Sequence, residues 1–591
     1  MTNVNDNKII QDLLCEYDNN NANMRGIGGS LEYSLFEHLS KKMITHFLNP
    51  EWVKAEKEGF VYAHDKAQYL FKGLNCFTHD IRRYIRFGLS TYGDNSGVVS
   101  KPPNHFRTVL ELSAQAMGLA SCYMAGGQSI AALNTFVAPF MEGMSDKKIK
   151  QDIQAFLFQL NQSFMNRGCQ SVFSSINMDL EIPEWLQKET AYGKKGEIVG
   201  EYGDFYDESK RFVHLLNEVS IDGDGNDKPL FFPNLIYNIP NADLREWKDI
   251  FELSSKFSTP YFCNYTKNGV KYQSTLGCRS AQPANWTGDP NIDCMGTGNS
   301  VYTTVSLPAI ALKSVYENKN FINELVYYMS LIRDFNKMRL EWIRKLWYTY
   351  HTADFLIKED DNGVPLYRLN DATIVLGYLG LSEALEILYG KDITQLPNKA
   401  REIIKFMRDE IARWKVEDNL RWGLFQTPAE NLAYTNAKKM VEQYGFKRSK
   451  AKGNRDAPFY TNSNHVPVDS DINLIERIKL EGNNQPLGAA GNIMNVYLGE
   501  SYSEPTALLS LCEKIRDNCN AYFWAFTGDF SMCPECLTKF KGAVEQCGFC
   551  GSETDVFSRV TGYMTVTKSW NKGKKSEHKL RHRYEVTGGL E

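Results

Sequence analysis

The chain has 591 residues, of which 42% are hydrophobic and 13% aromatic, and its formal net charge is −4. This composition predicts a globular protein with a well-filled interior, and the acidic balance argues against a nucleic-acid-binding surface. No apolar run approaches the roughly 18 residues of a membrane span, and the amino terminus lacks the features of a signal peptide. We expect a cytoplasmic protein without membrane or nucleic-acid partners, whose thirteen cysteines stay reduced.

Helical patterns dominate the amino-terminal region. Residues 1–60 read as helical, and so do residues 104–144, where a glycine pair at 126–127 breaks the pattern. Such a pair allows a sharp turn or a close approach of two backbones. Between the two patterns lies Asn75-Cys76. Taken alone, Cys76 reads as a core thiol, because cysteine is often buried.

The middle of the chain contains an isolated loop cysteine. Residues 228–240 form an apolar run bounded by prolines, which predicts a buried strand. Cys278 follows, flanked by glycine and arginine in loop-like sequence, and it is either a reactive thiol or an inert exposed one. Asn299 stands in a glycine-rich turn that leads into a strand, where its amide can donate to a carboxylate. We interpret Cys169 as structural.

Thr427-Pro428-Ala429-Glu430 predicts a helix start. Thr427 suits the N-cap position, Pro428 the first helical position, and Glu430 completes a capping box. The free N–H groups of such a helix start can bind a phosphate group. The alternative is an ordinary helix cap without a ligand.

Near the carboxyl end, four cysteines in two CxxC pairs precede a glycine motif. Cys533, Cys536, Cys547 and Cys550 predict a structural, tetrahedral zinc site with no open position. The motif Arg-Val-Thr-Gly-Tyr follows, with its glycine at position 562. A radical on an α-carbon is delocalised into the adjacent amide nitrogen and carbonyl, and a glycine can flatten without steric penalty. The alternative is that Gly562 only supplies a turn.

The tail after Gly562 is basic, and it predicts a solvated helix with a Glu577–Arg581 pair at i,i+4 spacing. A second interpretation is that the basic tail helps a partner enzyme to bind the glycine loop.

The glycine motif behind a tetracysteine knuckle resembles the radical loop of glycyl radical enzymes, in particular the anaerobic (class III) ribonucleotide reductases. The resemblance runs from about residue 20 to the end. Several further segments are similar to family segments in the same order: His64-Asp65 before Asn75-Cys76, Gly277-Cys278-Arg279, and Thr427-Pro428-Ala429-Glu430.

The resemblance implies an α/β fold in which residues 1–525 form a ten-stranded α/β barrel surrounded by helices. A finger loop at about 272–285 would thread the barrel, and helices at about 104–144 would carry the dimer interface and the effector site. Residues 526–555 would bind zinc, and residues 556–591 would form the glycyl radical loop and basic tail. The family's ATP-binding cone is not expected before the catalytic region.

The resemblance also implies a mechanism, the reduction of ribonucleoside triphosphates to 2′-deoxyribonucleoside triphosphates. A radical SAM activase, with an iron–sulfur cluster and S-adenosylmethionine, would abstract hydrogen from Gly562. The radical would pass to Cys278, which takes the 3′ hydrogen, while Cys76 assists loss of the 2′ hydroxyl. Formate would supply the electrons at Asn299. The alternative, suggested by the nearby Cys294, is a reductase that takes its electrons from a thiol protein.

The implied partners are a second copy of the chain in a homodimer and dNTP or ATP specificity effectors. The substrate site would comprise Asn75 and the Thr427–Glu430 segment. Two alternative functions remain open. One is another glycyl radical enzyme, a C–C lyase or a diol dehydratase. The other is a zinc-ribbon binding module with a large inert body.

Overall fold

The computed structural model describes residues 28–70, 72, 74–91, 97–163, 170–499 and 504–586. Cys169 lies outside the described residues, as do residues 1–27 of the predicted amino-terminal helical region.

Helices occur along the whole described chain. The longest begins where the side chain of Asn320 accepts from the N–H of Asn323 at 3.0 Å, a regular N-cap. The helices are Gly28–Thr45, Pro50–Glu58, Arg82–Phe87, Phe106–Tyr123, Leu133–Val137, Asp146–Gln162, Glu184–Gln187, Tyr206–Asp222, Lys248–Phe257, Pro290–Asp293, Leu307–Tyr316, Phe321–Tyr348, Asp354–Ile357, Leu381–Tyr389, Pro397–Asp418, Leu432–Tyr444, Phe446–Ser449, Leu474–Asn484, Pro505–Asn518 and Lys572–Leu580. None of these described helices is long and apolar enough to cross a membrane.

A seven-stranded sheet forms the larger half of the core. Its strands, in spatial order, are Met494–Tyr497, Phe523–Thr527, Tyr261–Cys263, Asn234–Asn238, Ser174–Asp179, Gln128–Ile130 and Phe77–His79. The last five are parallel to one another, and the first two run antiparallel to them. Every residue of Asn234–Asn238 is buried, which confirms the strand predicted within residues 228–240.

A four-stranded sheet forms the other half. Its order is Val61–Ala63, Asn299–Ser306, Thr373–Leu379 and Trp422–Gln426. The last three strands are parallel, and Val61–Ala63 pairs antiparallel at the edge. The strand Thr373–Leu379 is buried throughout, as its apolar and β-branched sequence requires in the centre of a parallel sheet.

The mixed α/β fold agrees with the prediction, but the ladders of the described residues do not close into a ten-stranded barrel. The two sheets meet at one side through the isolated Thr78–Thr297 bridge. At the other side the N–H of Gln426 donates to the carbonyl of Gly491 at 2.9 Å. These irregular segments replace a continuous ladder, and the result is two separate sheets.

The predicted finger loop is a hairpin between the two sheets. Its strands are Gln273–Leu276 and Ser280–Pro283, and residues 277–279 form the tip. The first strand is hydrogen-bonded to the seven-stranded sheet: the side chain of Asn177, in the strand Ser174–Asp179, forms two hydrogen bonds with the backbone of Thr275. The second strand bonds the other side through Gln282, which donates to Asn299 at 2.6 Å. The tip is therefore held from both sides.

The cysteine knuckle and the glycine motif belong to one small antiparallel sheet. Its order is Lys539–Lys541, Phe530–Met532, Asp555–Arg559 and Met564–Val566. The last two strands form a hairpin, and residues 560–563 at its tip are called the glycine loop below. Two further hairpins pair Thr190–Tyr192 with Ile198–Glu201, and Lys452–Gly453 with Pro458–Phe459.

The tail helix Lys572–Leu580 is not the solvated helix that its composition predicted. Lys574, Glu577 and Arg581 are buried, at 1%, 3% and 5% exposure. The predicted Glu577–Arg581 pair is present at 3.0 Å, and Lys574 bonds the same carboxylate. Paired charges can be buried together, whereas a composition-based prediction treats each charge as solvated.

Candidate active site

Two hairpin tips contact each other, one carrying Cys278 and the other Gly562. A Cβ atom added to Gly562 would lie 2.5 Å from the Cβ of Cys278 and 2.6 Å from its carbonyl oxygen. Real Cβ atoms do not approach other atoms so closely. The φ angle of Gly562 is outside the left-handed region, so close approach, and not turn geometry, requires glycine here.

The Cys278 thiol is suited to exchanging a hydrogen atom. Burial raises its pKa above the ordinary value, and the neighbouring Arg279 only partly opposes this effect. The thiol therefore keeps its S–H bond at neutral pH. A thiolate would have no hydrogen atom to give or to regain.

Side chains from elsewhere in the chain hold the glycine loop against the finger tip. Arg279 donates to the carbonyl of Thr561 at 2.7 Å, and Asn495 donates to the same oxygen at 3.3 Å. Tyr261 donates to the carbonyl of Gly562. Tyr261 could not be predicted as a site residue from the sequence, because it opens a buried strand and belongs to no recognisable motif.

A cavity of about 270 Å³ adjoins the two tips and brings together most of the predicted site residues. Its wall includes Cys278, Cys76, Asn75, Asn299, Pro428, Ala429 and Glu430, and also His64, Asp65, Tyr302 and Tyr563. Gly562 and Thr427 are not among the residues that line it. We call this cavity the thiol pocket.

The second cysteine of the pocket is held by polar contacts. The thiol of Cys76 donates to the side-chain oxygen of Asn75 at 2.8 Å, and Asn75 donates to Asp65 at 3.1 Å. The N–H of Gly127 donates to the Cys76 sulfur at 3.3 Å, and a Cβ at Gly126 would lie 2.6 Å from that sulfur. The predicted close approach at the glycine pair is thus an approach to Cys76.

Asn299 contacts the finger loop and the segment that carries Cys76. Its amide donates to Ser280 at 3.1 Å and accepts from Gln282 at 2.6 Å. The backbone carbonyl of Asn299 accepts from the backbone N–H groups of Asn75 and Cys76 at 3.2 and 3.1 Å. The amide can offer its second N–H to a ligand in the pocket.

The predicted helix start at Thr427 is wrong. The helix begins at Leu432, with Asn431 at the cap position, and residues 427–430 form a loop. The hydroxyl of Thr427 forms a buried bond with Thr304 at 2.9 Å and makes no capping bond. Since the interior partner is available, the local capping signature is overridden.

Glu430 connects the pocket wall to the glycine loop. Its carboxylate accepts from the hydroxyl of Tyr563 at 2.9 Å, and its carbonyl accepts from Asn571 at 3.0 Å. Tyr563 directly follows Gly562 in the chain. A ligand that contacts Glu430 would therefore also affect the glycine loop.

The four knuckle cysteines can hold one metal ion. Their sulfur atoms all lie within 4.8 Å of one another, with separations of 3.4, 3.5 and 3.7 Å in three pairs. A tetrahedral zinc site with Zn–S bonds of about 2.3 Å separates its sulfurs by about 3.8 Å. The N–H groups of Cys536 and Phe549 point at the sulfurs of Cys533 and Cys547. The cluster is compatible with structural zinc.

Fold and site together define an oxidoreductase of the ribonucleotide reductase class, in which a cysteine-tipped finger loop and a second cysteine line one pocket. The anaerobic ribonucleoside-triphosphate reductase family model matches residues 20–584. The chain belongs to this family, and its activity is anaerobic ribonucleoside-triphosphate reduction.

Relatives named anaerobic ribonucleoside-triphosphate reductase match nearly the whole chain. The anaerobic ribonucleoside-triphosphate reductase of Escherichia coli is 25% identical over 92% of this chain and 80% of its own length. The anaerobic ribonucleoside-triphosphate reductase of enterobacteria phage T4 is 23% identical over 92% of this chain and 93% of its own length. The anaerobic ribonucleotide reductase of Thermotoga maritima, solved with dATP and CTP, superposes with a TM-score of 0.72. It is 19% identical, over 92% of this chain and 89% of its own, and so supports the fold alone.

Proposed function

We propose that this reductase stores a radical on Gly562 and uses it through Cys278. The observation that carries the proposal is the contact between the two residues, which excludes even a Cβ atom at position 562. Direct hydrogen transfer between an α-carbon and a sulfur requires such contact. A separate radical SAM activase, with an iron–sulfur cluster and S-adenosylmethionine, would abstract the first hydrogen atom from Gly562.

The reaction would proceed in the thiol pocket on a ribonucleoside triphosphate. The Cys278 thiyl takes the 3′ hydrogen, Cys76 protonates the departing 2′ hydroxyl, and the 3′ hydrogen is finally returned. Formate, held at Asn299, is oxidised to carbon dioxide and supplies the two electrons. The balance is ribonucleotide, formate and one proton giving deoxyribonucleotide, carbon dioxide and water.

The substrate would be held by Asn75 and by the loop of Thr427, Pro428, Ala429 and Glu430. The backbone of this loop and the N–H groups at the start of the next helix suit the phosphate groups. Zinc in the knuckle would fix the sheet that carries the glycine loop, without taking part in the reaction. We further propose that the two large sheets act as halves of a barrel-like enclosure, which keeps oxygen and water from the radical.

The assembly would be a homodimer through the helices of residues 104–144. The Thermotoga maritima structure with dATP and CTP supports nucleotide effectors and substrates of these kinds. By this analogy, dNTP or ATP effectors would set the preference of this chain for its substrate.

Anaerobic activation followed by electron paramagnetic resonance tests the proposal. Wild type should show a glycyl doublet and convert ribonucleoside triphosphates with formate. Gly562→Ala should show neither, and air should cut activated wild type at residue 562. A wild type that reduces ribonucleotides without a doublet would contradict the radical assignment.

A further inference from the structure

Side chains hold three consecutive carbonyl oxygens of the glycine loop. Arg581 donates to Val560 at 3.4 Å, Arg279 donates to Thr561 at 2.7 Å, and the hydroxyl of Tyr261 donates to Gly562. The first bond is made to the carbonyl of a residue two positions before Gly562, and the second to the peptide group that supplies the Gly562 nitrogen. The third is made to the carbonyl group over which a radical on Gly562 would be delocalised.

Tyr261 is a buried donor whose ring is packed on both sides. It is 1% exposed, its ring stacks on Phe523, and the guanidinium of Arg559 lies 4.1 Å from the ring centroid. Asn234 offers a second acceptor at 3.2 Å, but a hydroxyl has one proton and the carbonyl of Gly562 is nearer. Burial raises the pKa of Tyr261 to about 12, against the opposing effect of Arg559, so the phenol keeps its proton.

A donor on this carbonyl changes the stability of the radical. The unpaired electron on the α-carbon is stabilised by donation from the amide nitrogen and withdrawal by the carbonyl. A hydrogen bond to the carbonyl oxygen strengthens the withdrawal, and it does so most in a site without water. The closed-shell glycine gains less from the same bond.

We propose that Tyr261 is a positioning residue that stabilises the stored radical on Gly562 through this hydrogen bond. The inference rests on the proposed function. The step concerned is a hydrogen-atom exchange: the Gly562 Cα–H bond breaks, the Cys278 S–H bond forms, and the unpaired electron moves to the α-carbon. No further oxidant is needed. Tyr261 biases this exchange toward the glycine and keeps the reactive thiyl rare between turnovers.

The test is Tyr261→Phe, activated anaerobically by the activase, in protein labelled with glycine carrying carbonyl ¹³C. The ¹³C hyperfine splitting of the doublet should change, because the spin distribution over the carbonyl changes. The doublet should also decay about 2- to 10-fold faster without substrate, the range expected for loss of one hydrogen bond. The faster decay follows from a larger thiyl population.

The matched control is Tyr460→Phe, which deletes another buried hydroxyl that donates to a carbonyl, that of Ser449 at 3.0 Å. Its splitting and decay should equal those of wild type. Should Tyr261→Phe fail to fold, 3,5-difluorotyrosine at position 261 keeps the ring and strengthens the donor, and it should slow the decay.

The outcomes separate the two proposals. A wild-type doublet with unchanged splitting and decay in Tyr261→Phe overturns the role of Tyr261 and leaves the radical on Gly562 intact. An unchanged decay in the difluorotyrosine protein does the same. Absence of a doublet in activated wild type overturns the proposed radical, and the inference about Tyr261 with it.

Discussion

Substitution of Glu577 by glutamine tests whether a buried ion cluster holds the glycine loop. Glu577 bonds Lys574 and Arg581, and Arg581 also donates to Ser558 at 3.1 Å and to the carbonyl of Val560. Glu577→Gln keeps the shape of the side chain but removes its charge. Two buried cations then lose their partner, and the strand that enters the glycine loop loses a support.

The contribution of the Glu577 carboxylate to the free energy of unfolding follows from the charges around it. Burial by itself raises the pKa of Glu577, but Lys574 and Arg581 outweigh it and the pKa falls from 4.5 to about 2. At about 1.4 kcal/mol for each pH unit of displacement, this corresponds to about 3 kcal/mol at neutral pH. Because the pKa is lowered on folding, this stability is present above pH 4.5 and is lost as pH falls toward 2.

The assay is native-state hydrogen exchange of peptides from residues 555–586, which reports local opening. At pH 7, Glu577→Gln should reduce protection there by about 100-fold, with peptides of the Ser174–Asp179 strand unchanged. In wild type, the same protection should decline as pH falls below 4.5.

The control is Glu553→Gln, whose carboxylate is 74% exposed and lies 3.7 Å from Lys568. Surface pairs contribute little, so its exchange should match wild type. Equal protection in Glu577→Gln and Glu553→Gln at pH 7 would refute the reasoning about the buried cluster.

Three further substitutions test the rest of the site. Cys547→Ser should lower bound zinc from one ion per chain to a small fraction, measured by elemental analysis, because a tetrahedral site loses one of four thiolates. Cys278→Ser should still acquire the glycyl doublet but form no deoxyribonucleotide, since an alcohol O–H is too strong to exchange hydrogen reversibly. Tyr563→Phe, which loses its bond to Glu430, should speed amide exchange in the glycine loop about 2- to 10-fold.

Each of these expectations has a contrary result. Full zinc content in Cys547→Ser would exclude a four-cysteine site. Product formation by Cys278→Ser at the wild-type rate would exclude Cys278 as the hydrogen-abstracting thiol. Unchanged exchange in Tyr563→Phe would show that Glu430 does not restrain the glycine loop, and Phe549→Ala, at an exposed knuckle position, serves as its control.

Motifs with strict local chemistry were predicted well from the sequence. The four knuckle cysteines converge on one site, because two CxxC turns leave few other ways to arrange four thiols. Cys76 and Cys278 line the same pocket, as the resemblance implied. The buried strand within residues 228–240 was likewise predicted from its apolar run.

Predictions from neighbouring residues were wrong where a residue distant in the sequence binds the polar or charged group concerned. Thr427 has the sequence of a helix cap, but its hydroxyl bonds Thr304, which is 123 positions away. The tail reads as a solvated basic helix, but Glu577 is buried with its cations. In both cases the deciding partner is brought close by the fold and is invisible to a pattern of neighbouring residues.

By itself, the sequence determined the family, and it singled out the two thiols, the four knuckle cysteines and the glycine to which the proposed chemistry is assigned. Only the tertiary structure decided how these meet: two hairpin tips in contact, two separate sheets where a closed barrel was expected, and Tyr261 on the carbonyl of Gly562. The physical reason is the distance along the chain between the residues that interact. Residue type and short spacing encode reactivity and local conformation, whereas contact between residues 261, 278 and 562 depends on long-range packing of the whole chain.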